Sequence, residues 1–507
     1  CKACHYDDRT GGHKDWQQMV DDPIAWGNGD SSDIPAYDYK ASVMNDTHMS
    51  HAMEFPYPQS MANCVTCHEG NMAMVTAGDN FQAATCKSCH PVQSTPAEYA
   101  QPKRAPALED LWAAAGATFH DIEDNCNACH ANGVGGSFAE YHSGYDAKIY
   151  DENGDRYADM YMADITSLSM ANGKVDIKFT GNTPLMTEPS VLVSFYGYDT
   201  KQFIVSSHSR DADRNRLGEF TIGGSSPYFM EEADSAQGSW HVTYDTTALP
   251  ADVQDTISTM SKRLEVSIRP TVEVDDETVA TNMVSKTLVL ANNATPDDFF
   301  KGDNAVVDVT KCNACHDALA TTFHSADRGG DIVGCRHCHV PSSGGSHLEM
   351  ASREIGSYVH AIHTFQAFDP EDINFADNVE SKRYYQHIEH TLPTFTAKAC
   401  EACHVEGTYD PVDQSESLPV ILSASSMNDA GPNGEDTWMR NIGSVPSVVT
   451  GPTARACGGC HRADIIAEDD AGELAAFNRH TNDFGYFLEN EDGAYEKVVE
   501  KIMGMFE

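Results

Sequence analysis

The sequence has few basic residues and no long apolar run. Lysine and arginine total 33 against 77 aspartates and glutamates, so the formal net charge of the 507 residues is −44. This balance excludes a nucleic-acid-binding protein, which needs a basic surface, and favours contact with cations or metal ions. No stretch approaches the ~20 consecutive apolar residues of a transmembrane helix, so we expect no transmembrane segment. The length is that of roughly three soluble domains.

The sequence also has no isolated cysteine. All 16 cysteines form C-x-x-C pairs, and a histidine follows every second cysteine. The pairs are Cys1/Cys4, Cys64/Cys67, Cys86/Cys89, Cys126/Cys129, Cys312/Cys315, Cys335/Cys338, Cys400/Cys403 and Cys457/Cys460. The histidines are His5, His68, His90, His130, His316, His339, His404 and His461. This is the attachment motif of c-type haem, present eight times.

The spacing fits the chemistry of that cofactor. Two thiols three residues apart can add to the two vinyl groups of one haem, and the adjacent histidine is then held beside the iron as its proximal ligand. Disulfide pairs would not put a histidine after every second cysteine, and zinc ribbons use two C-x-x-C pairs per metal. We therefore expect eight covalently bound haems, with no cysteine left for a disulfide. Because haem c is normally attached outside the cytoplasmic membrane, we expect an exported protein.

The other histidines decide the iron chemistry. Of the 23 histidines, 15 are not the final histidine of a motif, and eight of these would give every haem a second axial ligand. Six-coordinate iron has no open position for a substrate, so this supply predicts electron transfer and no catalytic residue. The predicted distal ligands are His48, His51, His120, His142, His324, His360, His363 and His480. Two H-x-x-H pairs stand out among them, because residues three apart share one helix face and could serve neighbouring haems.

Three further histidines are predicted not to ligate iron. His208 and His241 lie in strand-like sequence far from any motif, and we interpret them as ordinary core or surface residues. His337 lies inside its own C-x-x-C loop and points poorly for ligation. Reserve ligands are His13, His347, His387 and His390.

The region between the two groups of motifs has a different character. Residues 145–308 contain no cysteine, and segments such as Val175–Phe179 and Leu264–Ile268 alternate apolar with polar residues. Alternation predicts half-buried strands, separated by turn signals such as Asn172-Gly173. We expect a β-sandwich or split-barrel domain whose main role is to space and orient the haem domains.

The fold class that follows is multidomain, with two loop-rich, partly helical haem domains flanking an all-β domain. The predicted boundaries are 1–144, 145–308 and 309–507, each haem domain carrying four motifs. Short helices are expected at Ala107–Ala115 and in the tail Tyr495–Phe506. The clearest loops are Pro91–Pro106 and Asp410–Thr453. The order C-x-x-C-H, H-x-x-H, C-x-x-C-H recurs in both halves and suggests an internal repeat whose first motif would stand upstream of residue 1.

This order resembles the extracellular outer-membrane decahaem cytochromes of metal-reducing bacteria. The local similarity lies in Val307–Leu319 with His324, in Met61–His68 and in the two H-x-x-H segments. The resemblance implies bis-histidine haems, a surface location, and electrons passing outward to metal oxides, flavins or other multihaem cytochromes, including an outer-membrane conduit. The chain departs from that family in having eight motifs rather than ten.

Two alternative functions remain open from the sequence. The first is a subunit of a cytochrome filament, a homopolymer in which haem contacts continue between copies. The second is an octahaem reductase of a nitrogen or sulfur oxyanion, which would need an open iron. The strong negative charge would repel such a substrate.

Overall fold

A computed structural model describes the middle of the chain and parts of its flanks. The described residues are 73, 76–81, 86, 108–116, 136–143, 147–232, 238–296, 298–316, 318–319, 326–341, 354–363, 399–409, 416–422, 448–450, 476, 479 and 487–489. The chain divides into two units. Unit 1 comprises Cys1–Ala147, Cys315–Asp317 and Glu371–Thr394, and unit 2 comprises Lys148–Ala314, Ala318–Pro370 and Phe395–Glu507.

The described part of unit 1 contains two short helices, α1 (Leu108–Ala114) and α2 (Phe138–Tyr141). The first confirms the helix predicted at 107–115. The second begins with a capping box, in which Ser137 accepts a hydrogen bond from the Glu140 amide and the Glu140 carboxylate accepts one from the Ser137 amide. Such reciprocal bonds satisfy amides that a helix start leaves unpaired. The ring of Phe138 stacks on Phe81 at 5.2 Å between centroids.

Unit 2 is built on antiparallel sheets. Its strands are β1 (Ala163–Ala171), β2 (Lys174–Gly181), β3 (Ser190–Tyr196), β4 (Phe203–Val205), β5 (Glu219–Thr221), β6 (Phe229–Glu232), β7 (Ser239–Asp245), β8 (Arg263–Arg269), β9 (Glu273–Val274), β10 (Glu277–Thr278), β11 (Val284–Val289), β12 (Val420–Leu422), β13 (Val448–Thr450) and β14 (Phe487–Glu489). One sheet has the order β1-β2-β7-β6, and another has β11-β8-β3-β4 with β5 also paired to β3. β9 and β10 form a separate pair. The chain is therefore multidomain and rich in β-structure.

The predicted turn at Asn172-Gly173 joins β1 to β2. Ala171 pairs with Lys174, so the loop has two residues, and both have positive φ, 51° and 75°. These angles fit a type I′ turn, whose twist matches that of the strands it connects. A Cβ at Gly173 would lie 2.5 Å from Cγ2 of Thr247, so glycine is also required by space.

One hydrophobic core lies between the two larger sheets. Apolar side chains of β2 and β7, such as Ile177 and Val242, share a buried cluster with Val193 of β3 and Val266 of β8. All four are at most 1% exposed. The alternation seen at Val175–Phe179 is confirmed in β2, where Val175, Ile177 and Phe179 are buried in sequence.

The prediction that 264–268 forms a half-buried strand is wrong in its burial. β8 forms, but its second face is buried too, because Glu265 and Ser267 are both 0% exposed. All seven residues of β3 are likewise buried. The second face of these strands is covered by a helical segment near residue 336, a contact between residues distant in sequence.

The loop predicted at 410–453 also needs correction. Within it β12 and β13 pair with each other, and β13 pairs with β14. The sheet joins three segments, each separated from the next by more than 20 residues. A local pattern of turn-forming residues therefore cannot reveal that these segments pair.

The described helices of unit 2 are α3 (Tyr157–Met160), α4 (Ala251–Met260), α5 (Val309–His316), α6 (Val333–Cys338) and α7 (Ile355–His363). The last two residues of α5, Cys315 and His316, are assigned to unit 1. Short 3-10 turns occur at Gly302–Asn304, Ala326–Arg328 and Ala399–Ala402. Helix α4 buries Ile257 and Met260 against the core of the sheets. Helices α5, α6 and α7 carry haem motifs or their candidate ligands.

Candidate functional site

The described cysteines are all free thiols. They are Cys86, Cys312, Cys335, Cys338, Cys400 and Cys403. Free thiols in C-x-x-C-H sequences are the donor set that thioether attachment of haem requires. The residues present therefore fit the cofactor that the motifs predict.

The fifth motif is carried by helix α5. Asp308 precedes the helix, and its carboxylate accepts hydrogen bonds from the amide and hydroxyl of Thr310 at 3.0 and 2.6 Å. These bonds hold the pKa of Asp308 below its usual range. Both cysteines of the motif, Cys312 and Cys315, lie in the helical backbone of α5. The second residue of the motif, Asn313, donates a hydrogen bond to the carbonyl of Gly330 at 2.6 Å.

The seventh motif packs directly against the start of the fifth. The amide of Asp308 donates to the carbonyl of Cys403 at 2.8 Å, and the amide of Val405 donates to the carbonyl of Val306 at 3.1 Å. Nζ of Lys311 donates to the carbonyls of Glu401 and His404, each at 2.9 Å. Two attachment sequences almost 90 residues apart are thus held side by side.

The thiols of these two motifs also touch. The side chains of Cys312 and Cys403 are within hydrogen-bonding reach, and this contact lowers the pKa of the Cys403 thiol to about 7 while it raises that of Cys312. The contact makes the fifth and seventh attachment sites immediate neighbours.

The predicted distal ligand His360 lies beside the proximal histidine of the seventh motif. Its ring centroid is 6.0 Å from that of His404, with 21° between the ring planes. Two imidazoles that bind one metal ion from opposite sides, each through a bond of about 2 Å, have centroids about 6 Å apart. Burial lowers the pKa of His404, which favours the neutral imidazole that ligates metals. Nδ1 of His404 is buried without a hydrogen-bond partner in the described residues.

Helix α7 holds His360 in this position. Glu354 stands before the helix, and its carboxylate accepts a hydrogen bond from the Ser357 amide at 2.9 Å. The other oxygen of Glu354 accepts one from the Gln202 side chain at 2.8 Å. The H-x-x-H segment is therefore helical, as the sequence predicts, and its first turn is tied to the β-structure.

The sixth motif is carried by α6. Asp331 accepts a hydrogen bond from the Val333 amide at 2.8 Å, and Lys301 lies 3.5 Å from its carboxylate. Burial raises the pKa of Asp331 above its usual range. At the other end, the His339 amide donates to the Cys335 carbonyl at 2.9 Å. Both cysteines are half-buried, and the two residues between them point into the β-structure.

The three histidines predicted not to ligate iron have other partners. Nδ1 and Nε2 of His337 are each 2.7 Å from a serine hydroxyl, those of Ser194 and Ser267. Nε2 of His208 lies 3.2 Å from Glu219, and His241 pairs with Asp176. Both nitrogens of His337 are occupied in this way, which agrees with the sequence interpretation.

In unit 1, the predicted ligand His142 ends helix α2. Its Nδ1 is 3.0 Å from the carbonyl of Phe138, and the two rings meet edge to face. A histidine that donates from one nitrogen to a carbonyl has the tautomer in which the other nitrogen can bind metal. This environment fits the role predicted for His142.

The other predicted site residues are not described at the level of their side chains. For Cys315, His316 and His363 only the helical backbone is described. Those outside the described residues are Cys1, Cys4, His5, His48, His51, Cys64, Cys67, His68, Cys89, His90, His120, Cys126, Cys129, His130, His324, Cys457, Cys460, His461 and His480. The tail helix predicted at 495–506 and the loop predicted at 91–106 also lie outside the described residues.

Sequence reasoning missed the buried partners of the sixth motif, notably Tyr196, Glu265 and Arg336. A polar residue at every second position of β8 predicts solvent exposure, so the pattern pointed away from them. Within the described ranges, no group of three or more histidine, cysteine or acidic side chains could hold a metal ion by itself. No helix among the described residues is both long and apolar enough to cross a membrane.

The motifs and their thiols define a multihaem cytochrome with covalently bound c-type haem. Residues 304–496 match the family model "Outer membrane cytochrome MtrC/MtrF-like, domains II/IV". This region is therefore similar to the outer-membrane cytochromes of the MtrC/MtrF type, and the resemblance stated from the sequence is confirmed. The match also agrees with the expected surface location and with a role in electron transport.

Two solved structures are similar to the chain. One is the outer membrane decahaem cytochrome OmcA, with 17% identity and a TM-score of 0.42 over 86% of this chain and 57% of that one. The other is MtrC from Shewanella baltica OS185, with 16% identity and a TM-score of 0.30 over 62% of this chain and 45% of that one. The chain thus spans about half the length of these relatives. Comparison with curated proteins gives no match, and nothing in these similarities supports a homopolymer.

Proposed function

We propose that the chain is an exported octahaem c-type cytochrome that conducts electrons to extracellular acceptors. All eight motifs would carry haem, in tetrahaem domains at 1–144 and 309–507 on either side of a β-sandwich or split-barrel domain at 145–308. Haem iron, when bound, exchanges one electron between its ferric and ferrous states. The chain's own residues attach the haems, ligate them and hold them close to one another.

The observation that carries this proposal is the contact between the fifth and seventh motifs. Their backbones share hydrogen bonds between Asp308 and Cys403 and between Val306 and Val405. Cys403 takes part in this contact and Cys312 lies four residues after Asp308, so haems bound by the two motifs would be neighbours in the electron path. A protein that bound haem for separate catalytic sites would not need to hold two attachment sequences together.

The proposed ligation is bis-histidine. The ring separation of His360 and His404 fits one iron held between them, and the hydrogen bond at Nδ1 of His142 leaves Nε2 as the ligating atom in unit 1. An iron ligated by two histidines would have no open position for a substrate, so its function would be electron transfer. We assign the remaining predicted distal histidines the same role.

Charge supports the choice of acceptors. The net charge of −44 attracts metal cations and repels small oxyanions. Metal oxides, flavins and partner cytochromes, including an outer-membrane conduit, are the proposed donors and acceptors. The many carboxylates should also stabilise ferric haem and so lower its reduction potential.

Intact mass and spectroscopy of the purified holoprotein test this proposal. We expect a mass increase equal to eight haems, a low-spin ferric spectrum and no binding of carbon monoxide to the reduced protein. The control is the variant His404→Met, in which one haem should lose its proximal imidazole and change its spectrum. Fewer than eight haems, or a high-spin fraction in the unmodified protein, would contradict the proposal of an octahaem electron conductor.

A further inference from the structure

The two residues inside the sixth motif, Arg336 and His337, are 4% and 0% exposed. They lie between Cys335 and Cys338, and both side chains enter the second face of the sheet formed by β3 and β8. That face is the one whose burial the sequence does not predict. Its polar residues alternate with the apolar residues that face the hydrophobic core.

His337 is bound to both strands at once. Ser194 of β3 and Ser267 of β8 each contact one ring nitrogen at 2.7 Å. The ring also stacks on Phe203 at 5.0 Å between centroids. Burial, followed in importance by the charge of Arg336, lowers the pKa of His337 to about 3, so the ring is neutral. It holds the motif in place without adding charge.

Arg336 makes an ion pair that is completely withdrawn from water. Its Nη1 is 3.3 Å from Glu265, whose side chain is 0% exposed, and its Nη2 is 2.8 Å from the hydroxyl of Tyr196. Tyr196 in turn donates a hydrogen bond to the Glu265 carboxylate. The guanidinium lies 3.9 Å from the centroid of the Phe300 ring. Arg336 of the attachment loop therefore forms a triangle with Tyr196 of β3 and Glu265 of β8.

Such a pair is a costly way to stabilise a fold. Desolvation of two buried charges offsets much of their attraction, and apolar residues of the same size often serve stability equally well. Arginine keeps its charge even when buried. The triangle consequently keeps a fixed charge pair, with little screening by water, next to the two thiols that bind the haem.

Resting on the proposed attachment of haem to Cys335 and Cys338, we propose that the Arg336–Glu265 pair sets the reduction potential of that haem. Glu265 compensates the positive charge that Arg336 brings into the attachment loop, and Tyr196 fixes their geometry. Arg336 and Glu265 are positioning residues for this one haem. The haems of the other motifs are not expected to depend on them.

The direction of the effect follows from electrostatics. Glu265→Gln keeps the side-chain shape and removes the carboxylate that pairs directly with Arg336, although Asp298 still acts on the guanidinium. The loss of one negative charge disfavours the more positive ferric state. The potential of one haem should rise, with a change of about tenfold or more in its reduction equilibrium, equal to about 59 mV for a one-electron couple. Arg336→Met should leave that potential unchanged or lower it, because a buried carboxylate without a cation can take up a proton. The double variant should return close to the wild type.

The experiment is a spectropotentiometric titration of the holoprotein and of these three variants. Each preparation is first checked for eight haems by intact mass. In Glu265→Gln, one-eighth of the absorbance change should move to higher potential, while the rest keeps its midpoint. The matched control is the exposed pair of the same unit, Lys148 and Glu277, whose atoms are 3.6 Å apart at the surface. Glu277→Gln should shift nothing, because water screens exposed charges.

Each outcome decides the proposal. It is overturned if all eight haems are bound and the potentials of Glu265→Gln match those of the wild type, or if both single variants shift in the same direction. If the single variants do not fold but the double variant folds with eight haems and wild-type potentials, the pair has a folding role only and the proposal also fails. A missing haem at Cys335 and Cys338 in the wild type would instead contradict the proposed octahaem function.

Discussion

The sixth and seventh haem motifs have the same sequence pattern but different surroundings. In the sixth, the inner residues Arg336 and His337 are buried and bound by side chains of β3 and β8. In the seventh, Cys400 and Glu401 are exposed, and the segment is held chiefly by backbone bonds to the fifth motif and by Lys311. An attachment motif therefore specifies its cofactor chemistry, while its neighbours decide how rigidly and in what electrostatic field that cofactor is held.

The largest effect should come from breaking the sixth site. Arg336→Ala leaves the carboxylate of Glu265 buried without its cation, and removal of one partner of a buried ion pair costs about 3–5 kcal/mol. We expect the free energy of unfolding of the holoprotein to fall by about that amount, measured by urea denaturation monitored in the far-ultraviolet. The control, Lys148→Ala at an exposed pair, should cost about 1 kcal/mol or less. A similar loss in both variants would remove the contrast between the buried and exposed environments.

The seventh site should respond less. Lys311→Met removes two hydrogen bonds to the carbonyls of Glu401 and His404, and each is worth about 0.5–1.5 kcal/mol. We expect a loss of about 1–3 kcal/mol in the same denaturation experiment, with all haems retained. A loss as large as that of Arg336→Ala would mean that the seventh site is held as firmly as the sixth.

A third effect, small per unit of pH, is a pH dependence on the sheet near the sixth site. Burial outweighs the attraction of Glu219 and lowers the pKa of His208 from its usual 6.5 to about 4. Between pH 6.5 and pH 4 the unfolded chain therefore binds a proton at His208 that the folded chain does not. The free energy of unfolding is highest above pH 6.5 and declines as the pH falls towards 4. One such proton corresponds to a slope of at most about 1.4 kcal/mol per pH unit.

The measurement compares unfolding free energies of the wild type and His208→Gln between pH 7 and pH 4.5. The wild type should lose stability as the pH falls through this window, and the variant should lose less by the contribution of the one proton. Equal slopes for the two proteins would show that His208 is not held neutral by its burial.

Several local features were predictable because their causes are local. The two-residue turn at Asn172-Gly173 requires positive φ at both positions, which those residues adopt readily. Strand β2 alternates because only one of its faces is buried, and the H-x-x-H segment at His360 is helical as its spacing indicates. The interpretation of His337 as a residue that does not ligate iron also followed from its place between two cysteines.

Other features were not predictable because their causes lie far away in the chain. Glu265 has the sequence context of an exposed strand residue, and only the packing of α6 on the sheet makes it buried. Strands β12 and β13 form where loop was predicted, because β13 pairs with both β12 and β14. The pairing of His360 with His404 was likewise open, since spacing on a helix does not say which haem a histidine faces.

The sequence by itself determined the covalent chemistry. Two thiols and an imidazole must be close neighbours along the chain to hold one haem, so the eight motifs can be recognised without any fold. Only the tertiary structure decided which sites adjoin each other and what charges surround them. Those properties arise from contacts between distant segments, such as Cys312 with Cys403 and Arg336 with Glu265, whose free energy depends on burial in three dimensions.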